Sequence, residues 1–147
     1  MEKTGPQLRQ RTTGSDAAVS GLFGGLLGGL AMALVIALFS LLNGHGLGYL
    51  GYFSTATAVS PLQGLLMHLA VSCIYGMLFS LILYWTRLER LKVPGWLAGL
   101  VYAVLLWVLA VTVLLPAAHS LMLSIGWPAF FFGHLAYGLV LGWRRSL

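Results

Sequence analysis

Two histidines, His68 and His134, are the residues of this chain best placed to do chemistry. Each lies within a long apolar stretch on a stripe of small residues four apart. The first stripe is Gly64, His68, Ser72, Gly76 and Ser80, and the second is His134, Gly138 and Gly142. In a helix this spacing keeps the residues on one face, turned toward other helices. His68 follows Pro61 by seven residues and His134 follows Pro128 by six. That places both imidazoles about 9–10 Å inside their helices, at matched depth. An ionisable residue inside a membrane span is expensive and often functional. Two neutral imidazoles could ligate one haem b iron or hold chlorophyll-type magnesium, making His68 and His134 the candidate cofactor ligands. The structural alternative has each imidazole hydrogen-bonded to a carbonyl or hydroxyl of a neighbouring helix. A proton or ion pathway is the third.

Other chemistry is poorly provided for. The carboxylates Glu2, Asp16 and Glu89 all lie outside the apolar stretches, on the side opposite the histidines. No nucleophile–base–orienter set can be assembled, so a non-enzyme is expected. Proton-coupled transport usually relies on membrane carboxylates, which disfavours a transporter or channel. The single cysteine, Cys73, rules out an intrachain disulfide, a cysteine metal cluster and the C-x-x-C-H haem motif. No metal site is expected.

The elements that must position the histidines follow from composition and charge. The chain of 147 residues is 59% hydrophobic and 7% charged, which a water-soluble domain could not sustain. Its net charge of +5 comes from basic residues that flank apolar stretches, pointing to membrane lipids and not to nucleic acid. Lys3, Arg9 and Arg11 precede the first stretch, Arg87, Arg90 and Lys92 separate the second and third, and Arg144 and Arg145 follow the fourth. The connections from Asn43 to Ser60 and from Pro116 to Gly126 carry no charge. Short basic loops stay cytoplasmic. The chain thus reads as an all-α integral membrane protein with four transmembrane helices in a bundle and both termini cytoplasmic, in the cytoplasmic (inner) membrane.

The helices are expected at about 17–42, 61–86, 94–115 and 128–143, after a polar cytoplasmic tail over residues 1–16. Pro61, Pro94 and Pro128 stand where a first turn tolerates a missing N–H, and Pro116 closes the third helix. Ala31-Met-Ala33 resembles a signal-peptide cleavage site, but the apolar run continues to Leu42, so the segment is read as a retained span. Further small-residue faces occur at Gly21, Gly25 and Gly29, and at Gly95, Gly99 and Ala103. Such faces let backbones approach closely and leave little room for a macrocycle. The halves look related: Pro61, His68-Leu-Ala and Tyr75-Gly76 reappear as Pro128, His134-Leu-Ala and Tyr137-Gly138. Two related helical hairpins would form a parallel repeat. The aromatic, glycine-rich loop Asn43–Ser60 is expected to lie on the membrane surface, with docking against a partner as the alternative.

The segments His68-Leu-Ala through Tyr75-Gly76, Gly99 through Trp107 to Pro116, and His134-Leu-Ala-Tyr137-Gly138 to Gly142 resemble a family of small bacterial membrane proteins of unknown function, the domain-of-unknown-function 6789 type. The resemblance covers most of the chain and implies four spans with histidines in the second and fourth. It implies no activity, cofactor or catalytic residue. The function expected from these features is a non-enzymatic accessory or scaffolding subunit, packed against larger membrane proteins of a respiratory or photosynthetic complex. The alternatives are a haem- or chlorophyll-binding protein using His68 and His134, and a small transporter or channel.

Overall fold

The computed structural model describes residues 13–54, 57–86 and 93–143, and these are helical, with no strand among them. The eight basic residues, Glu2, Glu89 and most of the polar tail lie outside the described residues. The elements are α1 (Gly14–Leu42), α2 (Gly48–Gly51), α3 (Pro61–Thr86), α4 (Gly95–Leu109), a π-helical turn (Ala110–Leu114), α5 (Leu115–Ala117), a 3₁₀ turn (Leu121–Ser124) and α6 (Trp127–Trp143). Three helical stretches are long and apolar enough to cross a membrane: Gly14–Leu42, Pro61–Thr86 and Gly95–Ala117.

Caps explain where the helices begin. Thr13 and Asp16 form a reciprocal capping box, with Thr13 N donating to Asp16 Oδ2 at 2.8 Å and Asp16 N donating to Thr13 Oγ1 at 3.2 Å. The box starts α1 at Gly14, three residues before the apolar pattern suggested. Ser60 and Gln63 make the same exchange ahead of α3, with Pro61 at its first position. Pro116 does not close the third span, as its ring suggested. Helical structure runs through it to Ala117, and the π turn ahead of it supplies wider hydrogen bonding where the proline N–H is missing.

The faces where helices cross are small and polar, around a core that includes Ile36, Phe79, Phe130 and Leu141, and the exterior is large and apolar. Buried positions include Ser40, Ser72, Ser80, His68, His134 and the helix glycines, while Leu34, Leu62, Leu66, Leu105, Trp85 and Trp127 are exposed. That inversion suits lipid, where close backbone packing, not burial of leucine, drives association.

The small-residue stripes are used within the chain. Gly21, Gly25 and Gly29 face Ser72, Gly76 and Ser80 across α1 and α3; Gly95, Gly99 and Ala103 face Gly138 and Gly142 across α4 and α6. A Cβ at Gly25 would overlap the Ser72 carbonyl oxygen, and one at Gly99 that of Gly138. The two pairs join through a third contact, where Gly24 meets Leu141, Gly28 meets Tyr137, and Gly133 meets Met32 and Ile36. The packing order is therefore α3–α1–α6–α4.

These contacts set the register of the related halves. If Gly25, packed on the Ser72 carbonyl, matches Gly99, packed on the Gly138 carbonyl, then Ser72 matches Gly138, Gly76 matches Gly142, and His68 is the counterpart of His134. The two His-Leu-Ala motifs thus align, while Tyr75-Gly76 and Tyr137-Gly138 stand about one helical turn out of step. In the same register Tyr102 of α4 stands where α1 has Gly28, and Met67 of α3 stands where α6 has Gly133. Small residues draw α1 and α6 together, whereas Tyr102 is wedged against Phe79 with its hydroxyl donating to Tyr75 O at 2.8 Å. So α3 and α4 do not close along their length.

Within the loop Asn43–Ser60, Tyr49–Ser54 folds inward against the bundle while Asn43–Gly48 stays exposed. Tyr49, Leu50, Phe53 and Ser54 are buried, and the Leu50 carbonyl sits where a Cβ on Gly64 would be. Glycine at position 64 is what lets the loop seat on α3. Ser120 of the second loop donates to Ser54 O at 3.1 Å, tying the two loops together over one end of the bundle.

Candidate functional site: a histidine-lined cavity

The gap left between α3 and α4 is a cavity of about 310 Å³ beneath the joined loops. His68, Ser72 and Tyr75 of α3 line it, with Phe130, His134 and Tyr137 of α6, Met32 of α1, Leu106 of α4, Ala110 and Leu114 of the π turn, and Phe53, Ser54, Ser120 and Met122 of the loops. Both candidate histidines therefore face one space. Helix α1 measures their depth: His68 reaches the Gly29 carbonyl, and Gly133, next to His134, packs against Met32 and Ile36. They lie at matched depth, as counterparts in that register should.

Each imidazole is anchored through one nitrogen. His68 Nε2 is 3.1 Å from Gly29 O, and His134 Nδ1 is 2.8 Å from Phe130 O. A carbonyl only accepts, so these nitrogens carry the protons, and the lone pairs fall on His68 Nδ1 and His134 Nε2. Neither of those has a hydrogen-bond partner among the described residues, yet neither is enclosed by packed atoms as Trp107 Nε1 is. They open on the cavity. The bond to Gly29 needs glycine, because a Cβ there would lie 2.6 Å from Ser72 Cβ and push α3 away. Aromatic rings fix the orientations further: Phe53 stacks on His68 at 4.2 Å between centroids, and Phe130 meets His134 edge-on at 4.5 Å.

Three other lining hydroxyls are already committed as donors, while Tyr75 Oη has no hydrogen bond among the described residues. Tyr137 Oη donates to Ser72 O at 2.9 Å, Ser120 Oγ to Ser54 O, and Ser54 Oγ to Thr57 O. Ser72 Oγ lies 3.4 Å from His68 Nε2, on the anchored side of that ring. Among the described residues no group of three or more His, Cys, Asp or Glu side chains could hold a metal ion. The cavity holds roughly ten water volumes at about 30 Å³ each.

The remaining singled-out residues are the packing glycines, and Gly21, Gly25, Gly29, Gly64, Gly76, Gly95, Gly99, Gly138 and Gly142 all stand at close backbone contacts. His45 and His119 are exposed in the two loops, away from the cavity lining. Sequence reasoning missed Phe53, Ser54 and the π turn as parts of the site. Pro116 was the available signal for the last, since a proline late in an apolar helix must disturb the turn before it. Compared with protein-family models, characterised proteins and solved structures, the chain finds no match. The family resemblance accordingly rests on its short apolar motifs alone.

Proposed function

We propose that this is a non-enzymatic membrane protein that holds a small, largely apolar ligand in the cavity between α3 and α4. One observation carries the reading: two buried imidazoles from different helices turn unpaired nitrogens into one apolar space. Ligand sites are commonly apolar concavities with a few convergent polar groups, and a volume of about 310 Å³ lies at the small end of their range. Of the chemistries open to His68 and His134, ligand binding is favoured over bis-histidine haem or pigment ligation, because the space is small. It is favoured over transport because no carboxylate lines the cavity.

In this reading α6 is the fourth crossing. Its 17 residues extend about 26 Å at the helical rise, close to a hydrocarbon core of roughly 30 Å. With Arg87, Arg90, Lys92, Arg144 and Arg145 held inside, the termini are cytoplasmic, the membrane is the cytoplasmic (inner) one, and the cavity lies in its outer half. Native mass spectrometry of protein purified from its own membranes in mild detergent tests the proposal. A retained small molecule, lost when Val71→Trp fills the cavity, is the expected result. A clean apo mass for the wild type under conditions that retain bound lipid would overturn it.

The accessory-subunit reading has a separate observation in its favour. An apolar recess of about 600 Å³ on the outside of the bundle is lined by Trp96, Ala136, Leu139, Val140 and Trp143. A helix of a larger respiratory or photosynthetic subunit would suit such a surface. The small-residue stripes no longer argue for it, because they are spent on packing within the chain. Native-membrane purification decides: a stoichiometric co-migrating protein supports this role, and a lone monomer refutes it.

A further inference from the structure

The polarity of the cavity restricts what it can hold, on the premise that it is a binding site. Hydroxyls that line it point their protons into carbonyls, as Tyr137 Oη does into Ser72 O and Ser120 Oγ into Ser54 O. What the two imidazoles leave for a guest is two lone pairs, on His68 Nδ1 and His134 Nε2, each on a ring whose tautomer a backbone carbonyl fixes, with Tyr75 Oη the free hydroxyl on the same wall. A guest that offers only acceptors, such as an ether, ester or quinone, would set lone pair against lone pair in a dry space. A cation would find no counter-charge. A neutral hydroxyl can donate to either nitrogen without either cost, and two hydroxyls on one ring can answer both.

The walls and the entrance narrow the class further. Phe53 and Phe130 frame the imidazoles with aromatic surface, suited to a flat ring. Met67, Val71 and Leu114 line the cavity while remaining 46%, 48% and 39% exposed, so its mouth opens sideways between α3 and α4. Those residues face hydrocarbon in a bilayer, and an apolar tail can trail through that mouth. We infer that the cavity selects the hydroxylated aromatic head of a membrane-dissolved amphiphile, of the phenol or hydroquinone class, with His68 Nδ1 and His134 Nε2 accepting its O–H groups.

The test uses the whole protein in phosphatidylcholine nanodiscs, labelled with ¹⁵N in its histidine rings, and two probes alike in shape. These are 4-pentylphenol, which can donate, and 4-pentylanisole, its methyl ether, which cannot. The phenol should bind at least tenfold more tightly and shift the unprotonated nitrogen of whichever buried ring, His68 or His134, accepts its single O–H, leaving the exposed rings of His45 and His119 as internal references. His68→Leu combined with His134→Leu should bring the two affinities together while leaving the ether's unchanged. Equal affinity of the wild type for both probes overturns donor selection but leaves the cavity a binding site. Binding that shifts neither buried ring, or no binding of either probe, overturns the site itself. The wild-type comparison stands even where a histidine variant fails to fold.

Discussion

Gly21 and Gly24 are one turn apart on α1, and replacing each by alanine should move stability in opposite directions. A methyl at Gly21 would lie 2.5 Å from Gly76 O, 2.7 Å from Met77 Cα and 2.9 Å from Ser80 Cβ. Two of those atoms are backbone and the third is fixed to it, so no rotamer change gives relief. To regain an ordinary contact near 3.4 Å, α3 must retreat by several tenths of an ångström along the whole crossing. Overpacking of this kind costs about 1–3 kcal/mol. The gain from alanine's better helix propensity is at most about 1 kcal/mol. The net expectation for Gly21→Ala is a loss of about 1–2 kcal/mol. At Gly24 the only near atom is Leu141 Cδ1 at 2.9 Å, the tip of a flexible side chain. Leu141 can turn aside, so Gly24→Ala should be neutral or stabilising by up to about 1 kcal/mol. Equilibrium unfolding in mixed detergent micelles, followed by helical circular dichroism, reads both. If Gly21→Ala proves as stable as Gly24→Ala, the close α1–α3 crossing is wrong.

Three further expectations use other parts of the structure. His119 holds a left-handed backbone (φ 48°) at the end of α5, closed by Ser120 N donating to Leu115 O at 3.0 Å, where the equivalent turn after α1 uses Gly44 (φ 76°). His119→Gly should therefore raise stability by up to about 1 kcal/mol in the same unfolding assay, and a loss would argue against that turn. Thr13→Ala removes the capping box and should cost about 1 kcal/mol, seen as faster amide exchange in the first turn of α1 with the core unchanged. In a Cys73→Ala background, single cysteines placed at His45 and at Arg90 should react with a membrane-impermeant maleimide from opposite sides of the membrane. Labelling from one side would overturn the proposed topology.

Much of the architecture can be read from residue order because lipid imposes simple rules. Uninterrupted apolar runs must be helices, since hydrocarbon offers no partner for a free N–H. Small residues four apart must mark the faces where helices meet, and they do at Gly25, Gly76, Gly99 and Gly138. That His68 and His134 face inward at one depth followed from the same stripe and from Pro61 and Pro128. Which stripe pairs with which was not legible, because a glycine face is equally suited to a neighbour in the chain or in another protein. Nor could composition foretell that Tyr49–Ser54 of the Asn43–Ser60 loop packs inward, since its seat depends on Gly64 of a different element meeting the Leu50 carbonyl.

The chain's order of residues determined its helices, its membrane-suited surface and the inward turn of two histidines, each a consequence of local spacing and of solvation. The tertiary structure alone decided that the helix ring stays open on one side. Tyr102 occupies the register position that Gly28 fills on the opposite pair, and a phenol ring in place of a hydrogen atom keeps α3 from α4. Only that separation turns two inward-facing imidazoles into the walls of a single cavity.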